Sequence, residues 1–162
     1  MYLTITIDTE TPQTPLRRGL CRACFFDPKN EQGSWGCTYI LKTLKYFKLK
    51  ATFFINIYEA LPNNMVDIER LCKSINEAES EVALHTHPEW AYDWRRINMW
   101  QYSNTEQELI VRDGKRLLKD ILPGTRVMSH RAGAYGINED TLAALRKNNI
   151  CIDSSMFFKH PN

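Results

Sequence analysis

The segment Glu81-Val82-Ala83-Leu84-His85-Thr86-His87-Pro88 carries the residues best suited to chemistry. It reads as a strand that runs into two histidines and stops at a proline. Side chains alternate across a strand, so His85 and His87, two positions apart, share one face. Two imidazoles converging at a strand end are half of a divalent-metal site, and zinc is the commonest occupant of such a site. The alternative is a satisfied core histidine beside a solvent-facing one. Two carboxylates, Asp8 and Glu10, follow a strand-like segment over 2–7, and His130-Arg131 lie toward the end of another over 126–132. One carboxylate with two imidazoles gives three ligands and leaves a position open for water, the usual plan of a catalytic zinc site. The second carboxylate then stands ready as a general base. Asp, Thr and Glu after a strand also suit an ordinary turn; the joint pattern is what points to chemistry.

The elements that must position these groups alternate along the chain. Residues 2–7 are β-branched and alternating, which predicts a first strand. Residues 11–34 show no clear period and read as an ordered loop, and loops that long inside a compact domain usually line or cover a site. Tyr39, Ile40, Leu44 and Phe47 recur near helical spacing with lysines opposite, predicting a helix over 35–47. The continuous apolar run over 50–56 predicts a strand buried on both faces. A helix over 64–78 and the strand over 81–87 come next. Ser103-Asn104-Thr105-Glu106 has capping-box form for a helix ending near 122, before Pro123-Gly124. A fourth strand over 126–132, a helix over 141–147 capped by Asn138, and a fifth strand over 150–156 complete the order. Crossovers of this length make neighbouring strands parallel, hence an α/β domain. In parallel α/β folds the C-terminal strand ends form the active face, so the polar groups above meet on one rim. The pattern fits a doubly wound sheet and part of a barrel equally.

The bulk numbers narrow the function classes. The 162 residues suffice for one domain with a real core, and 43% hydrophobic with 25% charged residues is the composition of an ordinary globular protein. A net charge of +2 gives no electrostatic case for a nucleic-acid partner. The lysines between Lys42 and Lys50 read as the wet face of a helix. No stretch approaches the roughly 18 apolar residues of a membrane helix. Five cysteines without a leader suit reduced thiols in a cytoplasm, and Cys21-x-x-Cys24, with no second such pair, reads as part of a structural loop.

Four motifs occur in order: Thr6-Ile7-Asp8-Thr9-Glu10, Lys50-Ala51-Thr52-Phe53-Phe54, His85-Thr86-His87-Pro88 and Arg131-Ala132-Gly133-Ala134-Tyr135-Gly136. Together they resemble the polysaccharide deacetylase family, the metal-dependent deacetylases of carbohydrate esterase family four. The resemblance implies parallel β/α units in a distorted or incomplete (β/α) barrel. It also implies removal of N-acetyl groups from an amino-sugar glycan by a metal-activated water, with zinc as the expected metal. By the same resemblance Asp8 is the base and Arg131 the residue that orients it. Glu10, one place beyond the family's metal aspartate, joins His85 and His87 as ligands. The histidine spacing is shorter here than the family's His-x-x-x-His. An amide near Ala134 or Tyr135 corresponds to the oxyanion donor. The family's late Leu-x-His acid motif has no counterpart before Asn162, and His160 reads as an exposed terminal histidine. The expectation is therefore a single domain over 1–162 that lacks the family's C-terminal portion. An open strand edge would result, which a homo-oligomer would cover.

The loop after the histidines holds Trp90, Tyr92, Trp94, Trp100 and Tyr102 among charged residues. Rings beside polar side chains suit stacking on sugar faces, and they equally suit anchoring a long loop. Trp90, Trp94 and Tyr135 are the expected substrate contacts. Two other readings stay open: a hydrolase acting on a small amide, and a non-catalytic glycan-binding or interaction remnant.

Overall fold

The computed structural model describes residues 3–11, 29–30, 33–34, 36–61 and 65–156. A parallel sheet is built from β1 (Thr6–Thr9), β4 (Thr52–Asn56), β5 (Glu81–Thr86), β6 (Ser129–Ala132) and β7 (Ile152–Asp153). A small antiparallel pair, β2 (Lys29–Asn30) and β3 (Gly33–Ser34), lies within the segment read as a loop. Helices α1 (Cys37–Tyr46), α2 (Met65–Glu77), α3 (Asn104–Ile121) and α4 (Glu139–Lys147) connect the sheet strands. Cys21 and Cys24 lie outside the described residues.

The five sheet strands stand side by side in chain order. A doubly wound sheet reverses its strand order at a switch point, and this sheet has none. Successive right-handed crossovers without reversal put every helix on one face, as in a (β/α) barrel. The structure therefore chooses the barrel-type alternative, with the sheet left open at its edges.

Register divides the side chains cleanly. Ile7, Phe53 and Val82 pair across β1, β4 and β5, as do Thr9, Ile55 and Leu84. These point into the helix layer, where Phe53, Ile55, Val82 and Leu84 join Leu71, Ile75, Ile110 and Leu118 in the apolar core. The alternate set faces the other way: Asp8 with Phe54 and Ala83, then Asn56 with His85 and Arg131. Lower on this second face Glu81 accepts hydrogen bonds from Thr52 Oγ1 (2.7 Å) and Ser129 Oγ (2.6 Å).

That second face is concave. β1 and β6 are separated by two intervening strands, which on a flat sheet puts their side chains about 14 Å apart. Leaning covers only part of that gap: the Arg131 guanidinium lies over the Phe54 ring of β4, one strand short of β1. Arg131 Nη1 nevertheless donates to Asp8 Oδ1 at 2.6 Å. The sheet must curl for this bond to form.

Boundaries shift modestly from those the sequence predicts. β1 runs to Thr9, so Asp8 stands within the strand rather than after it. β7 is only Ile152–Asp153, because the Asp153 carboxylate takes the amide of Ser155 at 3.0 Å and turns the chain. α3 begins with the capping box expected at Ser103–Glu106, and Asn138 caps α4 as expected, in a box with Thr141, although the helix starts at Glu139 rather than at 141.

Helix α3 approaches the sheet at Gly114. A Cβ there would fall 2.8 Å from Leu84 Cδ1 and 2.9 Å from Tyr58 Cζ, and closer still to the Tyr58 hydroxyl that donates to Ile110 O. Gly114→Ala should therefore destabilise the fold by about 1–3 kcal/mol through overpacking, although alanine is the better helix former. Urea unfolding of the two proteins tests this; equal or greater stability of the variant would show that the contact yields freely.

Candidate metal centre

Glu10 leaves β1, His85 ends β5 and His87 follows it, so strand ends bring all three together. Glu10 Oε2 lies 3.3 Å from His85 Nε2 and 2.5 Å from His87 Nε2. Their ligand atoms all fall within 4.8 Å of one another. His85 is buried, His87 partly so, and Glu10 reaches the surface, leaving the cluster accessible from one side.

The far nitrogens of both rings are fixed. His85 Nδ1 donates to the Arg131 carbonyl at 2.7 Å, and His87 Nδ1 donates to Glu89 Oε1 at 2.8 Å. A histidine whose Nδ1 is held by an acceptor presents Nε2 in a set direction, the arrangement metal-binding imidazoles use. Pro88 starts the 3-10 turn Pro88–Trp90 that supplies Glu89, so the short His-Pro-Glu run builds its own carboxylate–histidine pair. Glu89 Oε2 is buried without a hydrogen-bond partner among the described residues.

Burial opposes ionisation of Glu10, but hydrogen bonds from His85 and His87 outweigh it and hold the carboxyl well below the usual carboxylate range. Burial likewise opposes charge on His87, yet Glu10 and Glu89 on either side push it up to about 10. Two carboxylates flanking one imidazole demand positive charge at the centre, a demand a divalent cation also meets. One carboxylate oxygen and two imidazole nitrogens form a donor set that suits zinc. The residues present fit such an ion.

Asp8 and Arg131 lie on the same concave face. Besides Asp8, the Arg131 guanidinium donates to Thr6 Oγ1 (3.1 Å), Ser154 Oγ (2.7 Å) and the Ser154 carbonyl (3.3 Å), and its Cζ stacks 4.3 Å from the Phe54 ring centre. Its own carbonyl receives His85. One residue thus holds both a carboxylate and an imidazole of the rim.

His130 departs from the expectation. It neighbours Arg131 on a strand, so it faces the opposite side, fully buried toward the helix layer. Its Nδ1 donates to Asp153 at 2.7 Å and its Nε2 meets Thr86 Oγ1 at 3.0 Å. Asp153 also accepts from Ser155 Oγ, which in turn takes the Ala132 amide. This network fastens β5, β6 and β7 together behind the rim.

Sequence reasoning passed over Glu59. It is 1% exposed in the 3-10 turn Ile57–Ala60, and both its oxygens take the Thr11 amide, at 3.0 and 3.2 Å. Asn56 Nδ2 adds a 2.7 Å bond. Burial pushes the Glu59 carboxyl up to about 7, against the pull of those bonds. Thr11 directly follows Glu10, so Glu59 fixes the backbone that delivers Glu10. Only the fold reveals this, since a lone glutamate after a strand carries no signal.

The aromatic loop divides. Trp90 is 5% exposed and part of the apolar core, so the ring face that stacking on a sugar requires is covered. Tyr102 is buried as well, while Trp94 at 51% and Tyr135 at 37% remain exposed. Tyr135 and Ala134 both adopt left-handed backbone, with φ of 56° and 50°. Such conformations cost non-glycine residues about 1–2 kcal/mol each, so their neighbours must enforce them. Beside them Gly133 touches His87: a Cβ would come within 2.5 Å of Nε2 and 2.6 Å of Nδ1.

A curled parallel β/α sheet carries a Glu-His-His cluster and an Asp–Arg pair at its C-terminal rim, the layout of a (β/α) barrel-like scaffold. The polysaccharide deacetylase family model matches residues 23–151, and the chain belongs to that family. Among solved structures, a CE4 family pseudoenzyme from Bacillus anthracis superposes with a TM-score of 0.62 at 18% identity, covering 93% of this chain and 41% of that one. The family 4 carbohydrate esterase from Streptomyces lividans gives 0.62 at 16% identity, covering 93% and 60%. The chitin deacetylase from Colletotrichum lindemuthianum gives 0.61 at 17%, covering 93% and 54%. These likenesses establish the (β/α) barrel-like fold, and the chain spans less than two thirds of each of these structures. No curated protein sequence matches the chain.

Two outcomes are expected. Gly133→Ala should displace the His87 ring and lower zinc affinity without unfolding the protein; unchanged affinity in a chelator competition would show that the loop can give way. Burial also holds His130 below its ordinary 6.5, outweighing Asp153. The unfolded chain then binds the extra proton first, so this stabilisation is complete above about pH 6.5 and is lost as pH falls through the folded value. In chelator, urea stability should drop between pH 7 and 5, and His130→Gln should flatten that drop; an unchanged slope would remove His130 as its source.

Proposed function

We propose that this chain is a metal-dependent hydrolase that removes N-acetyl groups from an amino-sugar glycan, with zinc as its metal. The observation that carries this reading is the convergence of Glu10, His85 and His87 beside the Asp8–Arg131 pair on one strand-end rim. Membership of the polysaccharide deacetylase family supports the substrate class, as do neighbours named as a chitin deacetylase and a peptidoglycan N-acetylglucosamine deacetylase.

Glu10, His85 and His87 would hold the ion, with Glu89 and the Arg131 carbonyl orienting the two rings. A divalent ion there polarises an amide carbonyl and acidifies a water. Asp8 accepts the proton of the attacking water at its carboxylate, which the hydrogen bond from Arg131 Nη1 aims. The strained turn at Ala134 and Tyr135 offers a backbone amide to the developing oxyanion. Trp94 and the Tyr135 ring face the glycan. We take residues 1–162 as one such domain. The buried free thiols of Cys37 and Cys72 suit a reducing cytoplasm, and no helix among the described residues is long and apolar enough to cross a membrane.

A second reading, a glycan-binding domain without turnover, is favoured by one observation. Every histidine among the described residues is committed: His85 and His87 to the cluster, and His130 to Asp153 and Thr86. None is free to protonate a leaving amine, and some structural neighbours are pseudoenzymes, one of them restored to activity by mutation.

Zinc titration and acetate release from an N-acetylated chitooligosaccharide separate the readings. Asp8→Asn should retain zinc and lose about 10²–10⁴-fold in kcat, whereas His85→Ala and His87→Ala should lose zinc. Full hydrolysis by Asp8→Asn would overturn its role as base. Unchanged zinc binding by both histidine variants would overturn the metal centre. A zinc-loaded protein that binds the oligosaccharide and releases no acetate would establish the second reading.

A further inference from the structure

The end of the sheet opposite the rim, where helices finish and strands begin, has a different chemistry. Residues 45–50, Lys-Tyr-Phe-Lys-Leu-Lys, join α1 to β4, and all of them are exposed. Tyr46 is 81% exposed, Phe47 62% and Leu49 47%; Leu3, which leads into β1 at the same end, is 82% exposed. Among the described residues Leu3, Tyr46, Met156 and Phe47 are the most exposed large apolar side chains, ahead of Val66 at 58%. Exposed apolar groups gathered in one place mark an interaction surface.

These rings are held in place. Lys48 adopts a left-handed φ of 54°, the Leu49 amide donates to Leu44 O at 2.8 Å, and the Lys48 amide donates to Lys45 O at 3.1 Å. That closure ends the helix in a fixed form. Tyr46 and Phe47 meet edge to face with centres 4.9 Å apart. Cations at a helix C-terminus complement its dipole, which accounts for a lysine or two here. It does not account for exposed rings and leucines between them.

Charge at this end is positive. Lys45, Lys48 and Lys50 line a surface cavity of about 490 Å³ together with Glu77 and Glu79, and Lys50 pairs with Glu79 at 2.9 Å. At the same end, between the end of α3 and the start of β6, a cavity of about 270 Å³ is lined by Lys115, Lys119 and Arg126 with no carboxylate. The opposite rim carries Asp8, Glu10, Glu59 and Glu89. That rim also holds Arg131, paired with Asp8, so the contrast between the two ends rests on the lysines and Arg126.

We propose that this basic, aromatic end docks on the surface of an anionic lipid bilayer. Leu3, Tyr46, Phe47 and Leu49 enter the headgroup layer, where amphipathic rings and leucines are most stable, while the lysines and Arg126 meet acidic headgroups. The rim then points away from the bilayer. Exposed leucines beside the rings favour a hydrocarbon boundary over a nucleic-acid backbone, which offers them no apolar partner.

Co-sedimentation of the full chain with phosphatidylcholine vesicles, with and without phosphatidylglycerol, tests this. Binding should need the anionic lipid and weaken with salt. Lys45→Gln/Lys48→Gln should lower partitioning about 25-fold, roughly fivefold for each lysine. Tyr46→Ser/Phe47→Ser should lower it about tenfold while leaving the salt dependence intact. All four side chains are exposed, so thermal unfolding should be unchanged and confirms that each variant is folded. Three results would overturn the proposal: no sedimentation with anionic vesicles, equal binding to neutral vesicles, or wild-type binding by both double variants. Capture of an acidic protein or nucleic acid without vesicle binding would also overturn it and assign the surface to that partner.

Discussion

The Arg131 guanidinium lies across the concave face of the sheet, nearly buried, with Asp8 at 2.6 Å, Ser154 and Thr6 as further acceptors, and the Phe54 ring beneath it. A cation withdrawn from water must find compensating partners, and these come from β1, β4 and the turn after β7. The requirement pulls opposite parts of the sheet toward one another and so sets its curl. The same residue's carbonyl orients His85. Curvature, the aspartate and one imidazole of the cluster therefore depend on a single position.

Two polar networks grip the strand ends from opposite sides. On the concave side Arg131 gathers Asp8, Thr6 and Ser154. On the helix side His130 links Thr86 to Asp153, which fixes Ser155. Ser154 and Ser155 are adjacent, so the turn after β7 is clamped from both faces although β7 has only two residues in the ladder. Glu59 plays the corresponding part near β1, holding the Thr11 amide behind Glu10. The cluster is thus supported by buried side chains from elements that contribute no ligand.

Much of this was legible in the sequence for definite reasons. The apolar run at Phe53-Phe54-Ile55 and the alternation at Val82 to His85 declare strands, and polar residues at their C-terminal ends declare a rim. The placement of His85, His87 and Glu10 followed from that logic. Strand order did not, because hydrophobic pattern records burial and not neighbours; a reversal in order would have left the same pattern. His130 was assigned to the rim with Arg131, although strand parity sends adjacent residues to opposite faces. Trp90 and Trp94 look alike in sequence, and only packing separates the buried ring from the displayed one. Glu59 and Glu89 act through contacts formed on folding, so no local signal marks them.

Chain order has a consequence for how the molecule comes into being. Each sheet strand pairs with the strands before and after it in sequence, so successive β/α units can dock as they leave the ribosome, with modest loop-closure entropy at each step. The bond between Arg131 and Asp8 is different, since it joins residues 123 positions apart. It cannot form until β6 has been synthesised and laid against β5. The pair consequently matures after the first three sheet strands, and a chain released before β6 carries the carboxylates of β1 and the imidazoles of β5 without the residue that orients them. The Asp8–Arg131 pair thus joins the first sheet strand to a strand made more than a hundred residues later.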